Sequence, residues 1–179
     1  RSADVGKYVH VHGGIVKITS FTSTAVVVGS VVRVLDAVTA TPAWSLEVAS
    51  WSATRGYPTC VAFFEDRLTF GCTITQPQTI WRSAVGDYEN FGRLASEVSS
   101  SDEFTLASGL IDKIHWISGH DSLIIGTAGG IWKLGASTST EPLSLVNVSA
   151  RKQVTLGVKD IPPAIVADAL LWVTRSSRS

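Results

Sequence analysis

The sequence has no methionine, two cysteines among 179 residues, and few charges, with Asp, Glu, Lys and Arg together making 17%. Each shortage excludes something. Cys60 and Cys72 are too few for a disulfide framework or a cysteine zinc site. Lys+Arg and Asp+Glu balance at 15 each, so no net field gathers nucleic acid or an anionic membrane. Long apolar runs are also missing. The longest, Ala25 to Val38, is interrupted by Gly29, Ser30, Arg33 and Asp36 and falls short of the ~20 residues of a spanning helix. No membrane insertion of this segment is expected. There is no signal-type opening, and a chain that starts at Arg1 without any methionine reads as an excised or processed fragment or as one segment of a longer chain. A Gly-x-Ser-x-Gly elbow is absent, so the many serines include no activated nucleophile.

What the sequence holds instead is strand chemistry. Val, Ile, Thr, Phe and Trp occur in short alternating runs separated by Gly, Pro, Asp and Ser, and 45% of the chain is hydrophobic, which predicts an all-β protein with a real core. In Tyr8-Val9-His10-Val11-His12 a period of two sets the valines on one face and Tyr8, His10 and His12 on the other. Gly13-Gly14 is expected to turn the chain into Ile15-Val16-Lys17-Ile18-Thr19. A third strand is expected near Thr24 to Val28, and residues 31–38 fit a strand and a short helix equally. These elements predict a small barrel-like β-module over residues 1–50, closing around Pro42-Ala43-Trp44.

From Trp51 onward the sequence repeats. Asp66-Arg67-Leu68-Thr69-Phe70-Gly71-Cys72, Asp121-Ser122-Leu123-Ile124-Ile125-Gly126-Thr127 and Asp168-Ala169-Leu170-Leu171-Trp172-Val173-Thr174 share one pattern. They are 55 (121 − 66) and 47 (168 − 121) residues apart, near the ~40–50 residue period of propeller blades. An apolar strand precedes each Asp, and the first two copies continue to the matching triplets Ile80-Trp81-Arg82 and Ile131-Trp132-Lys133. The unit is therefore strand, Asp turn, strand, loop, Trp strand. The expectation for residues 51–179 is part of a β-propeller, two blades and part of a third, with Trp81 and Trp132 buried at equivalent positions. A hairpin centred on Asp66 would set Cys60 opposite Cys72, both reduced.

No candidate for chemistry gathers enough partners. His10 and His12 on one strand face would need a third ligand for a metal, and none stands at motif spacing. His115 and His120 flank a strand end and suit core or turn roles. Gly126-Thr127-Ala128-Gly129-Gly130 lacks the Lys-Ser/Thr ending of a phosphate loop and reads as a hairpin turn. Ser99-Ser100-Ser101-Asp102-Glu103 reads as a mobile surface loop. In Val85-Gly86-Asp87 an Asp and a Gly supply turn chemistry, while one helical turn would tuck Tyr88 and Phe91 back onto the sheet. Asp87 and Glu89 lack the partner that acid–base catalysis requires.

Several of these stretches occur in one order. They are Arg55-Gly56-Tyr57-Pro58, Phe63-Phe64-Glu65-Asp66-Arg67-Leu68-Thr69-Phe70-Gly71, Pro77-Gln78-Thr79-Ile80-Trp81-Arg82-Ser83 and Gly86-Asp87-Tyr88-Glu89-Asn90-Phe91. Later come Phe104-Thr105-Leu106-Ala107-Ser108, Lys113-Ile114-His115-Trp116, Leu123 to Gly130 and Pro162-Pro163 to Val173. Together they resemble the tail tubular or nozzle proteins of short-tailed bacteriophages, although this chain is far shorter than such a protein. The resemblance implies a virion protein made in the host cytoplasm, with neither catalysis nor cofactor. Its implied partners are copies of itself in a ring, other tail, adaptor or portal proteins, and genomic DNA that passes without specific binding. Gly56, Tyr57, Pro58, Arg67, Leu68, Trp81, Ser83, Gly86, Asp87, Tyr88, Phe91, Trp132 and Trp172 are then structural residues. Arg82 and Lys133, beside the repeated tryptophans, are expected to serve packing or subunit contacts rather than DNA, and the terminal pair Arg175 and Arg178 to lie in a frayed end. The alternative is a propeller-type module that binds a ligand or glycan, or a hydrolase, which needs convergent polar and aromatic residues in a pocket.

Overall fold

The computed structural model of the protein describes residues 1–47, 50–91, 99–109, 111–137, 141–144, 146–167 and 169–175. Their regular structure is β throughout, apart from one 3-10 turn at Ser2–Asp4. The chain divides into two compact units, Arg1–Ser50 and Trp51–Ser179.

The first unit is one antiparallel sheet. Its strands β1 (Tyr8–Val11), β2 (Gly14–Ser23), β3 (Val26–Arg33) and β4 (Trp44–Leu46) lie in the order β3-β2-β1-β4. Val11 pairs with Gly14, so the turn consists of His12 and Gly13, with φ of 46° and 68°, rather than Gly13 and Gly14. Two successive residues of positive φ form the primed turn whose twist suits a two-residue hairpin. His12 thereby leaves the strand and does not share the face of His10, contrary to simple alternation. The third strand runs past the expected Val28 to Arg33, which makes residues 31–33 strand and not helix. Trp44–Leu46 adds a fourth strand against β1 through Val9–Leu46 and Val11–Trp44. Buried apolar residues described in this unit are Ile15 and Ile18.

The second unit repeats a four-stranded antiparallel meander. β5 (Cys60–Phe64), β6 (Arg67–Gly71), β7 (Thr79–Arg82) and β8 (Asp102–Thr105) form one sheet in chain order. β9 (Ile114–Gly119), β10 (Leu123–Thr127), β11 (Gly130–Ala136) and β12 (Val148–Val154) form the next, followed by a hairpin of β13 (Ala164–Val166) and β14 (Ala169–Leu171). The sequence pattern showed three strands per copy; β8 and β12 are the fourth. Ser101 and Asp102 are buried, so the stretch expected to be a mobile loop runs into a strand. Asp168, which marks the third copy, lies outside the described residues, as do Gly92 and Arg178.

Register matches between the two sheets where the repeat says it should. Phe70 pairs with Trp81, and its counterpart Ile125 pairs with Trp132. Both tryptophans are buried. The hairpin turns differ: Phe64 pairs with Arg67 across Glu65-Asp66, with φ of 50° and 54°, whereas Leu123 pairs with Gly119 across three residues. A two-residue turn centres the first hairpin between Glu65 and Asp66, so Cys60 faces Gly71 and not Cys72. A shift of one residue moves a side chain to the other face. Both thiols are free; that of Cys60 donates to the Gly71 carbonyl at 3.3 Å.

The two sheets pack face to face. Phe64, Ile80 and Phe104 of the first meet Ile117, Leu123, Ile125, Trp132 and Leu134 of the second. Full burial of one such side chain contributes about 1.5–3 kcal/mol. Glycine sets the approach: a Cβ on Gly71 would stand 2.5 Å from Ile117 Cδ1, and one on Gly119 would collide with the Phe63 carbonyl. On its other face the second sheet buries Trp116 and Ile131 with Val158, flanked by Leu170 and Trp172. Cross-strand pairing lays Trp116 over Gly126, where no side chain would fit.

Candidate functional site

Most of the residues singled out between Arg67 and Phe91 come together on the first sheet of the second unit. Ser83 N–H donates to the Leu68 carbonyl at 2.8 Å while Leu68 N–H donates to Ser83 Oγ at 2.9 Å, so the loop after β7 is tied to β6 at its first residue. Gly86, with φ of 68°, then donates its N–H to the Asp66 carbonyl at 2.9 Å. Tyr88 Oη donates to Asp66 Oδ1 at 2.6 Å, and this bond to a carboxylate pushes the phenol pKa up. Asp87 closes the turn as acceptor of the Asn90 N–H at 3.1 Å. The loop thus folds onto the Asp66 turn. It does so through tight turns rather than the expected helical turn, yet both rings reach the sheet: Tyr88 lies edge-on to Phe63 at 5.3 Å and Phe91 packs on Phe70 at 5.4 Å.

Trp51 completes that layer. Its ring meets Phe70 at 5.1 Å, Trp81 at 5.9 Å and Phe91 at 5.0 Å, all close to edge-to-face, the geometry favoured by the aromatic quadrupole. Trp81 Nε1 donates to Glu103 Oε2 at 3.0 Å. Upstream, Gly56 takes φ of 83° to bridge back to Ser52, leaving Tyr57 exposed and Pro58 half-buried. The outer face remains only partly covered, with Val61 and Phe63 more than half exposed.

The opposite face holds an ionic cluster that the sequence did not reveal. Arg82 is fully buried and bidentate on Asp102, with Nε–Oδ1 2.8 Å and Nη2–Oδ2 2.5 Å. Its Nη2 also donates to the Leu143 carbonyl at 2.5 Å, and Leu143 N–H donates to Glu65 Oε2 at 2.9 Å. Arg67 donates to the carbonyls of Ser83 at 2.8 Å and Ser100 at 2.6 Å and stands 3.7 Å from Asp102. Burial, with the neighbouring Arg82 charge, lowers the Arg67 pKa. Buried Arg67, Arg82 and Asp102 and the partly exposed Glu65, 3.5 Å from Arg82, balance two cations against two carboxylates, each with hydrogen bonds. The only sequence signal available was pairing: Arg82 and Asp102 stand opposite each other on β7 and β8, which needs the missed strand to be known.

Lys133, the repeat counterpart of Arg82, is exposed. His10 and His12 do not converge: His10 Nε2 meets Glu47 at 2.8 Å and His12 Nε2 meets the Thr39 carbonyl at 2.7 Å. His115 is half-buried on β9, and His120 is exposed in the turn. Among the described residues no three His, Cys, Asp or Glu side chains group as metal ligands, and no helix is long and apolar enough to cross a membrane. Trp132 lies in the core between the sheets, and Trp172 is half-buried on the far side of the second sheet, outside any strand. The chain matches no family model, and the curated proteins searched contain no match to it.

Proposed function

We propose that the chain is a structural part of the tail of a short-tailed bacteriophage, of the nozzle or tail-tube type, whose work is shape and subunit contact rather than catalysis. The observation that carries this reading is the employment of the resemblance residues themselves. Arg67, Leu68, Ser83, Gly86, Tyr88 and Phe91 tie β6, β7 and the following loop into one joint. Their pattern specifies an architecture. In the same reading the two meanders are two blades of a propeller and the β13–β14 hairpin belongs to a third, the first unit is a barrel-like module, and copies form a ring through which DNA passes ungripped.

Antibodies raised against the purified chain test the assignment on particles released by the strain that carries its gene. Label at the tail supports it; label confined to non-particulate protein overturns it. DNA passage is tested by anisotropy with a short duplex at roughly 50 mM salt, where phosphate contacts are strong. Submicromolar binding would replace the passive conduit by a nucleic-acid-binding function. One observation favours the second reading, a glycan-binding module: Phe63 and Tyr88 form an exposed aromatic pair beside Asp66. A glycan array on which Phe63→Ala abolishes a signal would promote it.

A further inference from the structure

We propose that β3 is a self-association strand, pairing antiparallel along its free edge with β3 of a second copy of this chain. The proposal goes beyond the phage reading and does not require it, since every premise lies in the first unit.

The first premise is the edge. β3 ends the sheet order β3-β2-β1-β4, so one side of its backbone bonds to β2 and the other faces away from the sheet. Natural edge strands are kept short, carry Lys or Pro, or are covered, because unpaired ladder groups invite another strand. β3 has none of these protections. It is eight residues long, contains no proline, lysine or carboxylate, and has its sole charge in the last residue, Arg33. The β2–β3 ladder shifts register three times, skipping Val32 on β3 and Thr19 and Thr22 on β2, so between Val26 and Val31 the extra residues lie on β2 and not on β3.

The second premise is that both faces are apolar and bare. Val26, Val28 and Val27, Val31 alternate across the strand, and each is 44% to 56% exposed. A flat surface would cover one face only. An added strand in the plane of the sheet extends both faces at once, and to bury these valines it must be apolar on both sides itself. Among the described strands of five residues or more, β3 alone is exposed at every position.

Charge fixes the direction. A two-fold antiparallel joint centres on one residue, and about Ser30 it puts Arg33 of one copy opposite Val27 of the other, at the two ends of the joint. Parallel pairing in register would set Arg33 beside Arg33, a like-charge contact that destabilises adjacent strands. The antiparallel joint is a two-fold, self-complementary contact. An eight-residue strand is about 27 Å long, and a joint of that length covers less than the ~1,600 Å² of a standard stable interface. The pair therefore dissociates on dilution.

Sedimentation velocity on the full chain over a concentration series should show a monomer–dimer equilibrium, and Val28→Lys with Val31→Lys, one on each face, should abolish the dimer. Circular dichroism of the double variant should be unchanged, because both positions are exposed. Hydrogen exchange of the unmodified chain supplies a readout free of any folding defect: amide protection over residues 26–33 should rise with protein concentration. A chain that stays monomeric throughout, a dimer indifferent to both lysines, or concentration-dependent protection that spares residues 26–33 overturns the proposal. None of these results bears on the tail assignment, which the antibody experiment decides separately.

Discussion

The two four-stranded sheets of the second unit share order, register and a tryptophan at the same place, yet they are stabilised differently. The second sheet is packed on both faces by apolar side chains, one face against the first sheet and the other against Val158, Leu170 and Trp172. In the first sheet one face carries a buried Arg–Asp network, and the other is half covered by Trp51 and Phe91. Repetition in sequence thus transmits strand pairing more faithfully than environment. Leu68 and Leu123 occupy the same repeat position, and only Leu123 is buried, because only its sheet has a neighbour on that side.

The cations test the comparison most severely. Arg82 and Lys133 follow the repeated tryptophans, but Asp102→Ala would leave Arg82 and Arg67 buried without their shared counter-ion. The expected loss is about 3–5 kcal/mol in urea unfolding, the range for breaking a buried pair, whereas Lys133→Ala should stay within about 0.5 kcal/mol as an exposed substitution. Equal losses would mean that the two positions are environmentally alike after all. Arg82→Ala should also loosen Leu143, seen as faster amide exchange at that residue.

The matched leucines come next. Leu123→Ala empties a fully buried site between the sheets and should cost about 2–5 kcal/mol, while Leu68→Ala, half-buried, should cost about 1 kcal/mol. If Leu68→Ala proves the costlier, the outer face of the first sheet is covered in solution and the asymmetry disappears.

The smallest effect is chemical. Burial pushes the Cys60 thiol from 9.0 up to about 12. At pH 8 its thiolate is then roughly a thousandth that of an ordinary cysteine, since reactivity follows the thiolate fraction. Alkylation by iodoacetamide, followed by mass spectrometry, should be correspondingly slow and should quicken only when the first sheet opens. The thiol's contribution to stability is whole below about pH 9 and is lost as pH rises toward 12, because the unfolded chain ionises first. Rapid labelling at pH 8 would show that β5 is open in the folded protein.

The all-β class and the repeat were legible because alternation and the Asp-x-Leu pattern are local signals. Trp81 and Trp132 could be placed from them alone. What stayed hidden were features that depend on a second strand. Ser99 to Glu103 looked like a loop because serines and carboxylates avoid cores, but Asp102 is carried inside by the two arginines it neutralises. For Arg82 the sequence suggested packing or subunit contacts without the carboxylate partner that stands opposite it on β8. The positions of Tyr88 and Phe91 were read correctly as rings folded onto the sheet, by the wrong backbone route, since a spacing of three fits a turn as well as a helix. The thiol pairing failed by one residue, because φ above zero at Glu65 and Asp66 shortened the turn and no glycine advertised it.

The clasp of Leu143 by Glu65 and Arg82 has a consequence for the making of the protein. Arg82 and Leu143 are 61 residues apart in the chain, so at ~5–20 residues per second the ribosome takes about 3 to 12 s to deliver one after the other. Over the last 38 of those residues (143 − 105), once β8 has ended at Thr105, the first sheet has all four strands synthesised but lacks the backbone groups that satisfy Arg82 and Glu65. The nascent chain then presents an unfinished ionic face, which chaperone attachment would shield and slowed synthesis over residues 106–143 would leave exposed for longer.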